Sequence, residues 1–152
     1  MSEITTSEQK TESDPLAVPA FGYELIREVL LPELLGKDTA EILYWAGKRL
    51  ARKYPLSTLD ETIRFFRDAG WGTLSIKEES RREMVLELSS ELISSRLKNN
   101  PNTTFQLEAG FIAQQMEHQK KVTTEAFEHP NKKSAKIMFT IKWDKSDPVC
   151  EF

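Results

Sequence analysis

Between Ala135 and Trp143 the chain alternates without a break. Ala135, Ile137, Phe139, Ile141 and Trp143 take one face, and Lys136, Met138, Thr140 and Lys142 take the other. A period of two with one apolar face describes a half-buried β-strand. Met84, Leu86 and Leu88 alternate in the same way with Val85 and Glu87. Before them, Trp71 to Ile76 reads as a strand with Gly72, Leu74 and Ile76 on one face. The charged run Lys77 to Arg82 makes the turn, so these two strands predict a hairpin. Val122 to Phe127 reads as a fourth strand, joined to the last one by a turn at His129, Pro130 and Asn131. Tight turns join antiparallel strands.

The remaining segments carry helical spacing. Phe21, Leu25, Val29 and Leu30 form an apolar stripe opposite Glu24, Arg27 and Glu28, which predicts an amphipathic helix limited by Pro32 and closed by Gly36. Asp38 or Thr39 can cap a second helix, with Ile42, Ala46 and Leu50 as its stripe and Pro55 as its stop. Ser57 or Thr58 starts a third, which ends at Gly70. Ser90 caps a short helix closed by Asn99 and Asn100, and Thr103 with Gln106 fits a capping box. The helix opened there has the strongest apolar pattern in the chain: Phe105, Ala109, Ile112 and Met116, flanked by Leu107, Phe111 and Ala113. The expected fold is α+β, a small antiparallel sheet of about four strands with helices packed on it. Residues 1–19, rich in Ser, Thr, Glu and Lys, are expected to be a disordered tail, and residues 20–149 a single domain.

Composition narrows the function. With 21 Lys and Arg against 24 Asp and Glu, the net charge is −3, a poor match to a phosphate backbone, so no nucleic-acid partner is expected. The cluster Lys48, Arg49, Arg52 and Lys53 is read as the solvated C-terminal end of a helix, where cations suit the dipole. A single cysteine allows no intrachain disulfide and fits a reducing, cytoplasmic setting. No apolar run is long enough to span a membrane, and the N-terminus has no apolar signal core. Two histidines and Cys150 show no metal-ligand spacing, so no metal or cofactor is expected. Cys150 has no base beside it, and no GxSxG elbow or phosphate loop occurs, so no enzyme activity is expected.

Three features stand out as candidates. Glu108 lies among apolar neighbours, where a carboxylate either is buried and serves as a polar anchor, or shares a solvent-facing stripe with Gln115 and Gln119. Gly47 and Gly110 sit inside predicted helices at about 1 kcal/mol each relative to Ala. That cost suggests a close approach by a helix, a ligand or a partner, and leaves room for an apolar groove between their helices. Tyr44, Trp45, Arg49 and Phe111 are the residue types that interfaces favour, and Arg52 or Glu108 could meet the polar end of an apolar ligand.

Several segments together resemble a known family. They are Tyr23 to Glu28, Tyr44 to Lys48 with Leu50 to Lys53, Ala69 to Leu74, Phe105 to Ala113, and Lys142-Trp143-Asp144 with Asp147-Pro148. In order and spacing they resemble the YslB-like family of small Firmicutes proteins, over about residues 20 to 149. That family looks like a branch of a superfamily of transport-particle subunits, 4-vinyl-reductase-like ligand-binding domains and haem nitric-oxide sensors. The resemblance implies an α+β fold, often dimeric, whose relatives sometimes enclose an apolar ligand. The haem signature Tyr-x-Ser-x-Arg is absent, with Ser95-Arg96 the nearest fragment, and no buried cysteine matches the acylated one of the transport-particle branch. The expectation is a non-catalytic binding or scaffold module, self-associating as a homodimer. The alternative is a sensor or carrier of a small hydrophobic ligand held between helices.

Overall fold

A computed structural model of the protein describes residues 16–149. Most of the tail expected over residues 1–19, and Cys150, lie outside them; residues 16–19 carry no regular structure. The first helix, α1, joins an α-helical Ala20–Glu24, a π turn Leu25–Leu30 and an α-helical Leu31–Leu35. A 3-10 turn, Gly36–Asp38, leads to α2 (Thr39–Lys53), and α3 (Leu59–Asp68) follows. The hairpin β1 (Thr73–Glu79) and β2 (Glu83–Ser89) precedes α4 (Glu91–Asn99) and the long α5 (Gln106–Lys120). The chain closes with β3 (Val122–Asn131) and β4 (Lys136–Pro148).

The four strands form one antiparallel sheet in the order β1-β2-β4-β3. The two hairpins therefore lie side by side, joined where Leu86 faces Phe139 and Leu88 faces Ile137. Alternation decides which side is covered. Leu74, Met84, Leu86, Leu88, Ala126, Ile137, Phe139, Ile141 and Trp143 are buried on the face under the helices. The opposite face carries Glu87 between Lys77 and Lys136. One covered and one open face is the usual state of an antiparallel sheet in an α+β fold.

Helix α5 is the centre of the molecule. Its residues Glu108 to Ala113, with Gln115 and Met116, are all buried, because β3 and β4 lie on one side and α2 on the other. The α2–α5 crossing is close, since a Cβ on Gly47 would stand 2.1 Å from the Leu107 carbonyl oxygen and one on Gly110 2.0 Å from that of Tyr44. The Tyr44 hydroxyl accepts the Ala126 amide at 3.1 Å, fastening α2 to β3. Helix α3 and the loop after it add an aromatic cluster: the Phe111 ring lies 4.7 Å from Phe65 and 5.4 Å from Trp71.

Caps explain most boundaries. Thr58 and Ser90 accept the amides of Glu61 and Ile93 and start α3 and α4. Gly36, at φ +65°, permits the sharp turn between α1 and α2. Several expectations are corrected. Pro32 does not limit α1; the π turn before it has already shifted bonding, with the Leu31 amide reaching Ile26, so the helix resumes with proline in its first turn. Thr103 does not cap α5. Its hydroxyl donates to Glu28, and the helix start is met by Thr104, which accepts the Gln106 amide, and by Glu128, which accepts the Phe105 amide at 3.0 Å. His129, Pro130 and Asn131 belong to β3, where proline is tolerated because that strand is an edge. Trp71 precedes β1 and joins the core.

The glycine crossing generates a direct test. Gly47→Ala and Gly110→Ala each drive a Cβ into backbone and are expected to destabilise by at least ~1–3 kcal/mol in denaturant unfolding. Gly22→Ala in α1 meets nothing within 4 Å and is expected to leave stability unchanged or raise it by up to ~1 kcal/mol. Equal midpoints for all three variants would exclude a backbone-limited crossing.

Candidate functional site

Helix α1 lies inside out. Tyr23, Glu24, Arg27 and Glu28 face the body of the protein, while Phe21, Leu25, Ile26, Val29, Leu30 and Leu34 are exposed. The apolar stripe of α1, expected to seek the core, points to solvent. The reason lies under the helix, where Glu108 on α5 and Arg96 on α4 are 1% and 3% exposed. A buried charge without a partner is far more costly than an exposed apolar side chain. The π turn widens the helix at Arg27 and Glu28 and places both against these groups.

Arg27 donates through Nη2 to both Glu108 oxygens, at 3.0 and 3.1 Å, and through Nη1 to the Tyr23 hydroxyl at 2.9 Å. Arg96 donates to Glu28 through Nε, and through Nη2 to the Thr103 hydroxyl and the Thr104 carbonyl. Its Nη1 stands 3.7 Å from Glu108, and its guanidinium lies 4.1 Å over the Phe105 ring. Asn100 completes Glu28 at 3.0 Å, and Ser95 donates to Glu24. Two cations and two carboxylates balance, and nearly every donor is used; among the described residues only the Nε of Arg27 is buried without a side-chain or backbone acceptor.

The titration of these groups follows from their contacts. Burial works against the Arg27 charge, but Glu108 outweighs it with Tyr23 and Glu28, and the pKa lies above its ordinary value. Burial pushes Glu28 up, yet the bonds from Thr103, Arg96 and Asn100 prevail and hold it below the usual carboxylate value. Burial raises the Tyr23 phenol. Glu128 is also raised by burial, beyond what the bonds from Thr104 and Phe105 restore.

The structure places the candidates from sequence as follows. Glu108 is a buried anchor within the network, and Gln115 shares its burial instead of facing solvent. Gln115 holds the α2–α3 loop at Tyr54 and Leu56, and Gln119 holds Leu56 as well. Gly47 faces the Leu107 backbone and Gly110 the Tyr44 backbone, so no groove opens between their helices. Phe111 is fully buried and available to no partner, because Phe65 and Phe66 of α3 and Trp71 close around it. Tyr44 is half-buried and bonded to β3. Trp45 is 56% exposed with the Arg49 guanidinium 5.0 Å over its ring, and Arg52 is exposed and reaches Gln114 at 3.3 Å. Sequence reasoning passed over Arg27, Arg96, Tyr23 and Glu28; an Arg on the inner side of a short helix, Arg96 beside Ile93 and Leu97, was the available signal. Among the described residues no three His, Cys, Asp or Glu side chains group as a metal site, and no helix is long and apolar enough to cross a membrane.

A sheet of two adjoining hairpins capped by a central helix, with a charged network fastening an N-terminal helix, defines the class. Residues 20–142 match the family described as protein of unknown function DUF2507, and the chain belongs to that family. The uncharacterized protein YslB of Bacillus subtilis is 47% identical over 130 residues, covering 86% of this chain and 88% of that protein. A vinyl-4-reductase family protein from Methanocaldococcus jannaschii shares the fold, with a TM-score of 0.65 at 18% identity over 95% of this chain and 98% of the other. A looser likeness, TM-score 0.48 at 10% identity over 87% and 92% of the two chains, links it to trafficking protein particle complex subunit 3 from Naegleria fowleri, solved covalently bound to palmitic acid.

Removing one member of the network should expose its cost. Glu108→Ala leaves Arg27 buried beside Arg96 and is expected to destabilise by ~3–5 kcal/mol, whereas the double change Glu108→Leu with Arg27→Met should recover most of that loss. Unfolding of the singles and the double gives the coupling directly, and additive losses would mean that the pair does not interact. The Glu28 shift also has a sign. Its folded pKa is depressed below 4.5, so its contribution is present above that pH and is lost as pH falls through the folded value. Glu28→Gln should flatten that acid limb of the stability curve. Glu128, being raised, acts in the opposite sense over its own range, and Glu128→Gln should steepen the limb.

Proposed function

We propose that this protein is a non-catalytic cytoplasmic binding module that works as a homodimer. The observation that carries the reading is the outward face of α1. Of the thirteen large apolar side chains exposed among the described residues, six lie on α1, and Leu16, Val18, Ile42 and Trp45 flank it in sequence. Isolated exposed apolar residues are ordinary, but such concentration in one short stretch marks an interaction surface. Trp45 and Arg49 on α2 add the residue types that interfaces favour. The charged network supports a structural role for its members, because their hydrogen bonds are spent on one another. The single cysteine suits the cytoplasm.

A second reading rests on a separate feature. A hollow of about 320 Å³ lies between α1 and α4, walled by Phe21, Leu25 and Val29 with Glu28, Arg96 and Asn100 among its polar lining. That volume falls at the small end of ligand pockets, and it supports a carrier of a small apolar molecule.

Native mass spectrometry of the untagged protein separates the two. The expected species has about twice the 17.5 kDa chain mass and nothing retained. A mass excess that vanishes on denaturation would favour the carrier, and a bare monomer at high concentration would overturn self-association. Ile26→Glu with Leu30→Glu, both at exposed positions, should yield a folded monomer.

A further inference from the structure

The exposed side of α2 is polar at its ends, apolar in the middle and opposite in sign from one end to the other. Asp38 and Glu41 stand at its start, Ile42 and Trp45 at its centre, and Arg49 and Arg52 at its end, all exposed. At 3.6 residues per turn these six positions fall within an arc of about 100°. Asp38 and Glu41 have no cationic partner, and Arg49 and Arg52 no anionic one, among the described residues. Resting on the self-association proposed above, we infer that α2 pairs antiparallel with α2 of a second copy about a two-fold axis at Trp45.

The positions decide the pairing. Around an axis at residue 45, Glu41 meets position 49 of the partner, an arginine, and Asp38 meets position 52, again an arginine; the relation repeats in the other direction. A two-fold interface is self-complementary by symmetry, so a helix whose charge reverses from end to end satisfies it twice with a single stripe. The opposed helix dipoles add to the preference. A parallel pairing would set the acidic ends together and the basic ends together. Helix α1, one turn earlier in the chain, carries further exposed apolar side chains. The N-terminal residues 1–15 are a poor alternative cover, since Met1 and Ile4 are the apolar side chains they offer.

Charge reversal tests the pairing by native mass spectrometry, with circular dichroism to confirm folding. Asp38→Lys with Glu41→Lys makes both ends basic, and Arg49→Glu with Arg52→Glu makes both ends acidic. Each double variant alone should dissociate on the order of a hundred-fold more readily than the parent. An equimolar mixture should form the mixed dimer. The variant carrying all four changes restores complementarity and should dimerise alone. A double variant that stays dimeric alone, or a mixture that remains monomeric, would overturn the antiparallel α2 pairing and leave self-association through α1 intact. A monomeric parent protein would instead overturn the self-association reading itself.

Discussion

Glu108 lies near the start of the most buried helix in the molecule, 1% exposed, and a carboxylate there must be met by a cation. Arg27 meets it from α1 through one nitrogen on both oxygens, and Arg96 approaches it from α4. Everything about the N-terminal helix follows. If α1 buried its apolar stripe, Arg27 and Glu28 would turn away, and Glu108 and Arg96 would lose their partners in the interior. The network thus selects the orientation of α1 more than it adds to stability, since ion pairs of this kind often contribute little over an apolar replacement. The consequence is an apolar helix face left exposed.

The second constraint is backbone contact between α2 and α5. With Cβ positions at 2.0 to 2.1 Å from carbonyl oxygens, only glycine fits at 47 and 110. Close approach brings Tyr44 within reach of the β3 backbone and so fixes how α2 sits over the sheet. It also turns the opposite side of α2 outward, with Trp45 and Arg49 displayed together. The glycines act on the surface indirectly, by setting which side of α2 is inside.

Much of this was legible in sequence. Alternation at Met84 to Leu88 and at Ala135 to Trp143 identified the two inner strands and their buried faces, because a two-residue period has one meaning in a sheet. Caps at Thr58 and Ser90 are local chemistry and were read as such. The α+β class follows from these. The errors share a cause. Thr103 looks like a cap for α5 but is claimed by Glu28, 75 residues earlier, and the cap comes from Glu128 on β3. Pro32 looks like a stop, and is accommodated by a π turn that sequence spacing does not reveal. Gly47 and Gly110 signalled a close approach without saying to what. The cap and the glycine contacts depend on residues distant in the chain.

The orientation of α1 is the most instructive case. Its pattern is amphipathic, and amphipathicity specifies that two faces differ without specifying which one turns inward. In a chain with an apolar core the usual answer is the apolar face. Here the core offers α1 a carboxylate and a guanidinium, and the polar face is the better match. The same pattern then leaves its apolar face exposed, because the fold does not require that face inside. A chain that meets its internal charge with one side of a helix can present an apolar surface on the other without weakening its own core. The network and the exposed stripe are therefore two sides of one arrangement, and changes to Glu108 or Arg96 reach the exposed stripe through the helix between them.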